Sequence, residues 1–165
     1  MSPKTQHAML KLWHAWLAGG YLVAYVTADE DTYSMHLFAG YTVLIAIAVR
    51  LVAGMLATSG PWRLPRPSVK DSLAWLTARK GRNPLFAWFA VMLLAAIGIA
   101  AVLGAFADGM AWLEDPHEAV SEASLWVIFG HIAFVTFMYG GKRLLARTRD
   151  ALSDFRLAPA KETSR

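Results

Sequence analysis

The amino-acid sequence predicts an all-α membrane protein, one bundle of four transmembrane helices with both termini on the cytoplasmic side. Three observations predict it. Hydrophobic residues make up 56% of the 165 and mean hydropathy is +0.38, too apolar for an ordinary soluble domain. Four runs are long enough to cross about 30 Å of hydrocarbon. The segments between those runs alternate in the sign of their charge.

The first span is expected at about 10–28, LKLWHAWLAGGYLVAYVTA with one or two flanking residues. A basic start and Thr27-Ala28 before Asp29 loosely resemble a cleavable signal, but the stretch is long and holds His14 and Gly19-Gly20. It is therefore read as a retained span. The second span is expected at about 36–57, the third at about 85–107 and the fourth at about 118–140. Each is apolar all round and rich in Gly and Ala, as close packing of helices in lipid requires. The remainder, 141–165, reads as a basic cytoplasmic tail, and the whole chain as one membrane domain. Segment 68–80, SVKDSLAWLTARK, mixes Val69, Leu73, Trp75 and Leu76 with charges. It fits a short amphipathic helix on the inner leaflet, or a plain connecting loop.

Charge sets the orientation. The 1–11 arm has Lys4 and Lys11 without an acid, and the first link has Asp29, Glu30 and Asp31 without a base. The 60–84 link sets Arg63, Arg66, Lys70, Arg79, Lys80 and Arg82 against Asp71 alone. The next link is acidic again, with Asp108, Glu114, Asp115 and Glu118, and the tail holds seven bases against three acids. Basic segments mark the cytoplasmic side. The net charge of +4 thus faces an anionic leaflet and needs no nucleic acid.

The chain has no cysteine. That excludes covalent c-type haem, iron–sulfur clusters, thiolate zinc and disulfides. No phosphate-binding glycine loop, nucleophile elbow or internal repeat is present, and no catalytic side chain is assigned.

Four of the five histidines lie at or inside the spans: His14, His36, His117 and His131. A histidine in lipid needs a partner, and imidazole is well suited to hold haem iron. His117 and His131 are fourteen residues apart, a rise of about 21 Å that returns to within about 40° of the same helix face. The topology sorts the four by depth: His14 with His131 toward the cytoplasm, His36 with His117 toward the periplasm. Each pair draws on two helices, as axial ligation across a bundle core requires. His7 has no depth partner and is left out.

Arg50 is the basic residue inside a span, fourteen residues after His36. Either it grips a haem propionate of the His14/His131 site or it snorkels to the cytoplasmic headgroups. Gly40 and Gly130 let a flat macrocycle approach the backbone, or serve helix packing. Most of the aromatic residues fit interface belts.

These residues together resemble the bacterial cytochrome b561 family and the related b-type cytochrome subunits of nickel–iron hydrogenases. The first helix has His14 near its start with Trp16 following. The second has His36, Gly40 and Arg50. Gly81-Arg82-Asn83-Pro84-Leu85-Phe86 stands where the family has a GHNPLG-like stretch, departing at its histidine and second glycine. The fourth has His117, Glu118 and His131. The likeness covers nearly all of residues 10–142. It implies two b haems, each held by two histidines, in a multi-pass protein of the bacterial inner membrane. Electrons would pass between the quinone pool and a redox partner, either a periplasmic carrier protein or a membrane oxidoreductase subunit. Quinone oxidoreduction is the enzymatic variant of that reading. A non-redox membrane subunit, or a proton or metal transporter using the same histidines, is the alternative.

Overall fold

A computed structural model describes the backbone of residues 2–78 and 83–157, with side chains beyond Gly141 described only at Thr148. Arg79, Lys80, Gly81, Arg82 and the bases of the tail lie outside the described side chains. Five α-helices follow in order: α1 (Pro3–Val26), α2 (Tyr33–Leu56), α3 (Val69–Ala78), α4 (Leu85–Ala107) and α5 (Glu114–Leu157). Single 3₁₀ turns at Glu30–Thr32 and Ala111–Leu113 lead into α2 and α5. Three helical stretches are long and apolar enough to cross a membrane: Glu30–Leu56, Leu85–Ala107 and Ala111–Gly141. Of α4 only Ile97 and Ala100 are buried inside the protein, so an apolar surface of that size calls for lipid around it.

α1 starts earlier than expected because its first turn is capped. Ser2 Oγ accepts the backbone N–H of Thr5 at 3.2 Å, and Pro3 occupies the first helical position, where no N–H is needed. α1 is less apolar than those three stretches, since Lys4, His7, Lys11 and His14 interrupt it. It stops at Thr27, whose hydroxyl and N–H both donate to Val23 O, at 2.6 and 3.1 Å. α2 ends at an extended Ala57, ahead of Pro61, Pro65 and Pro67. α4 coincides with the expected third span. α5 runs past the expected end near 140: Gly140 and Gly141 sit inside it, and the following sequence has helix-forming Lys, Arg, Leu and Ala and no proline before Leu157.

Two compact units are distinguished, Met1–Val127 and Ile128–Arg165. In the first, the core runs along α2, where Ala39, Val43, Ala46, Ile47, Arg50 and Gly54 form a buried stripe at helical spacing. α1 packs on α2, and α2 on α4. A methyl on Gly20 would lie 3.3 Å from Val43 Cγ2, and one on Gly98 would lie 3.5 Å from Ile47 Cγ2, so small residues bring these helices close. Polar groups are matched across the packing. The Trp13 indole N–H donates to Ala46 O at 2.7 Å. The Tyr21 hydroxyl shares a 2.6 Å hydrogen bond with the fully buried Ser124 on the first part of α5. Such bonds contribute about 0.6–2 kcal/mol each in a membrane protein. The second unit is described as the remaining length of α5, from Ile128 to Leu157.

Candidate haem site

His36 is the fourth residue of α2, and its Nδ1 lies 2.7 Å from Ala24 O. Ala24 belongs to the last turn of α1, whose carbonyls lose their intrahelical donors because the helix stops at Val26. The imidazole satisfies one of them. A carbonyl can only accept, so Nδ1 carries the proton, and Nε2 is the ring nitrogen left to act as a ligand.

His117 repeats the arrangement. It is the fourth residue of α5, and its Nδ1 lies 3.0 Å from Ala100 O in α4. The approach exists because of Gly104, one turn beyond Ala100. A methyl there would lie 2.7 Å from Cε1, 3.1 Å from Nδ1 and 3.2 Å from Nε2 of the ring. Again the carbonyl takes the Nδ1 proton and leaves Nε2 as the donor atom.

The two rings stand with centroids 6.1 Å apart and planes at 70°. Two metal–nitrogen bonds of about 2 Å, plus about 1 Å from nitrogen to ring centre on each side, sum to about 6 Å. That sum matches the observed separation, which is also that of an ordinary edge-to-face ring contact. Among the described residues no group of three or more His, Cys, Asp or Glu is assembled for a metal. Two imidazoles alone cannot complete a tetrahedral site, whereas haem iron takes only one or two protein ligands. The chemistry of this donor set, two imidazoles on different helices, is one that haem iron would accept.

Around the pair, the Tyr33 ring stacks on His36 at 6.1 Å and 16°, and its hydroxyl donates to Asp108 Oδ1 at 3.1 Å. The two acidic links meet at that bond. A methyl on Gly40 would meet nothing within 4 Å, so helix packing does not require this glycine.

The other expected ligands divide between the units. His14 is exposed on α1 in the first, and His7 is exposed near the start of the same helix. His131 is partly buried in the second, with its Nδ1 atom buried.

Arg50 is buried and held by the link that follows α2. Its Nη1 donates to Trp62 O at 2.6 Å and its Nη2 to Arg63 O at 3.3 Å. Its guanidinium carbon stands 5.8 Å from the Trp13 ring centre and 5.7 Å from that of Trp62. Carbonyl dipoles and two π faces thus surround the charge, where the sequence reading expects a propionate or headgroups. These bonds use two of the five guanidinium N–H groups. Gly54, one turn on, makes room: a methyl there would lie 2.6 Å from Leu64 Cγ and 2.8 Å from Arg50 Nη1.

Sequence reasoning missed Gly104, Ala100 and Ala24, which seat the imidazoles, and Gly54 with Trp62, which seat Arg50. Gly104 and Gly54 are visible as glycines inside helices, but their partners are remote in the chain. Comparison with known protein families, curated proteins and solved structures finds no match to this chain.

Proposed function

We propose that this protein carries electrons across a membrane through two b haems, each bound by two histidines. The observation that carries the reading is the His36–His117 pair: two imidazoles on different helices, 6.1 Å apart, each with Nδ1 on a backbone carbonyl. A hydrogen-bonded Nδ1–H fixes the tautomer, orients the ring and makes Nε2 a stronger ligand. Haem, when bound, supplies one-electron iron chemistry, with its potential tuned by axial ligand, hydrogen bonding and burial.

His14 and His131 are the ligands of the second haem in this reading. Their support is the depth ordering along the helices, with His131 about 21 Å beyond His117 on nearly the same face. The chain is a four-helix protein of the bacterial inner membrane, with α1 as the first span and both termini cytoplasmic. Opposed charge on alternate links supports that topology. Quinone is the membrane-soluble partner. A periplasmic carrier protein or a membrane oxidoreductase subunit is the other, and acidic links joined through Tyr33 and Asp108 favour a basic carrier.

The test is a reduced-minus-oxidised spectrum of the purified protein with haem quantification. Split α/β bands of low-spin haem and two haems per chain are expected. A chain that binds no haem when expressed with haem supply refutes the reading, and one haem per chain refutes the second pair.

A further inference from the structure

The segment between α2 and α4 takes no part in the histidine site, yet it presents an ordered surface. Along α3, Val69, Leu73 and Leu76 fall at i, i+4 and i+7, within about 60° of arc. They are 62%, 60% and 64% exposed. The partly buried Ser72 and Trp75 lie about 100° round the helix from this stripe. There the Trp88 indole N–H donates to Ser72 Oγ at 3.1 Å, and Ser72 in turn donates to Ser68 O at 2.7 Å. Asp71 and Ala74 lie roughly opposite the stripe, and Lys70 about 90° to its side.

Trp88 is the fourth residue of α4, in the first turn of a helix long and apolar enough to span. Its bond to Ser72 holds the middle of α3 level with the end of that span, where hydrocarbon gives way to headgroups. A helix docked sideways there, apolar on one side and polar on the other, is shaped to lie in the interface. The exposed side chains beside it are Arg63, Arg66 and Lys70 against Asp71, a net positive set. The stripe is small for a protein partner: one face of a ten-residue helix covers a few hundred Å², against the roughly 800 Å² that each partner buries in a stable interface.

We propose that α3 is an interfacial anchor, its Val69–Leu73–Leu76 stripe sunk in the acyl region of an anionic leaflet and latched to the bundle by Trp88. Arg63, Arg66 and Lys70 meet the lipid phosphates. The proposal rests on α4 as a membrane span and is independent of haem.

Because the chain lacks cysteine, single nitroxide labels test this in the full-length protein. Val69→Cys, Leu73→Cys, Leu76→Cys, Asp71→Cys and Ala74→Cys are labelled and placed in nanodiscs of phosphatidylcholine with or without phosphatidylglycerol. All five sites are exposed, so the labels are accommodated. With phosphatidylglycerol, the ratio of oxygen to nickel-chelate accessibility at 69, 73 and 76 should exceed that at 71 and 74 several-fold. The contrast should weaken about twofold or more without the anionic lipid, or in Arg66→Glu/Lys70→Glu. A flat profile along α3 overturns the anchor, and a contrast indifferent to lipid charge overturns the anionic leaflet. Spin–spin broadening at 73 would identify a second copy of the chain on the stripe and overturn both.

Discussion

Gly104 and His117 fit together so closely that one methyl group on Gly104 would stand 2.7 Å from the imidazole Cε1. This contact lets His117 reach the Ala100 carbonyl. Gly104→Ala should therefore displace the ring from its carbonyl. We expect haem content to fall from two toward one per chain, with the α4–α5 packing weakened by about 1–3 kcal/mol. Haem quantification together with thermal unfolding in detergent reads both effects. Full haem content with an unshifted spectrum would show that the notch is dispensable.

His36 and His117 act on one group in the proposed function, so their deletions should not add. His36→Ala, His117→Ala and the double variant are each expected to retain one haem per chain, with the same remaining spectrum. Two haems in either single variant, or none in the double, would break the assignment.

His131→Ala should remove the other haem and leave the His36/His117 site. Redox titration of the variant should give one midpoint where the parent gives two. If the surviving spectrum is that of the His117→Ala protein, both histidines serve one haem and the depth pairing fails.

Arg50 separates a structural role from a cofactor role. Replacing it by alanine strands the Trp62 and Arg63 carbonyls, at a cost of about 1–3 kcal/mol. The link after α2 should then be cut faster by a protease specific for arginine, at Arg63; Arg66 precedes Pro67 and is not a cleavage site. Arg50→Lys should restore part of the protection, since an ammonium group can donate to a carbonyl but cannot match the flat fork. A shifted haem potential with unchanged proteolysis would instead favour the propionate.

Tyr21 and Ser124 test how the start of α5 is tied to α1. Tyr21→Phe and Ser124→Ala should each lower stability by about 1 kcal/mol, and the double variant by less than the sum, because they share one 2.6 Å bond and both hydroxyls also reach Ser121 O. Additive losses would mean that the two side chains act independently.

Much of the architecture is legible in the linear chain. The α4 boundaries, 85–107, follow from an uninterrupted apolar run closed by Pro84 and Asp108. The α3 helix follows from apolar residues at helical spacing among charges. The end of α5 is expected where apolarity ends, near 140, although the first stop signal after Gly141 is Pro159, two residues beyond Leu157. The apolarity of α1 falls behind that of the three membrane-length stretches, its run being broken by Lys11 and His14.

Composition and order by themselves determined an all-helical chain with membrane-length apolar helices, a cysteine-free donor set and histidines as the candidate ligands. These are properties of local spacing and of transfer between water and lipid, which act residue by residue. Tertiary structure alone decided that His36 faces His117, and that Ala24 and Ala100 fix their tautomers. It alone put Gly104 beneath a ring and gave Arg50 to the Trp62 and Arg63 carbonyls. Each of these joins residues at least 12 apart in the chain, and only packed helices bring such atoms within hydrogen-bonding distance.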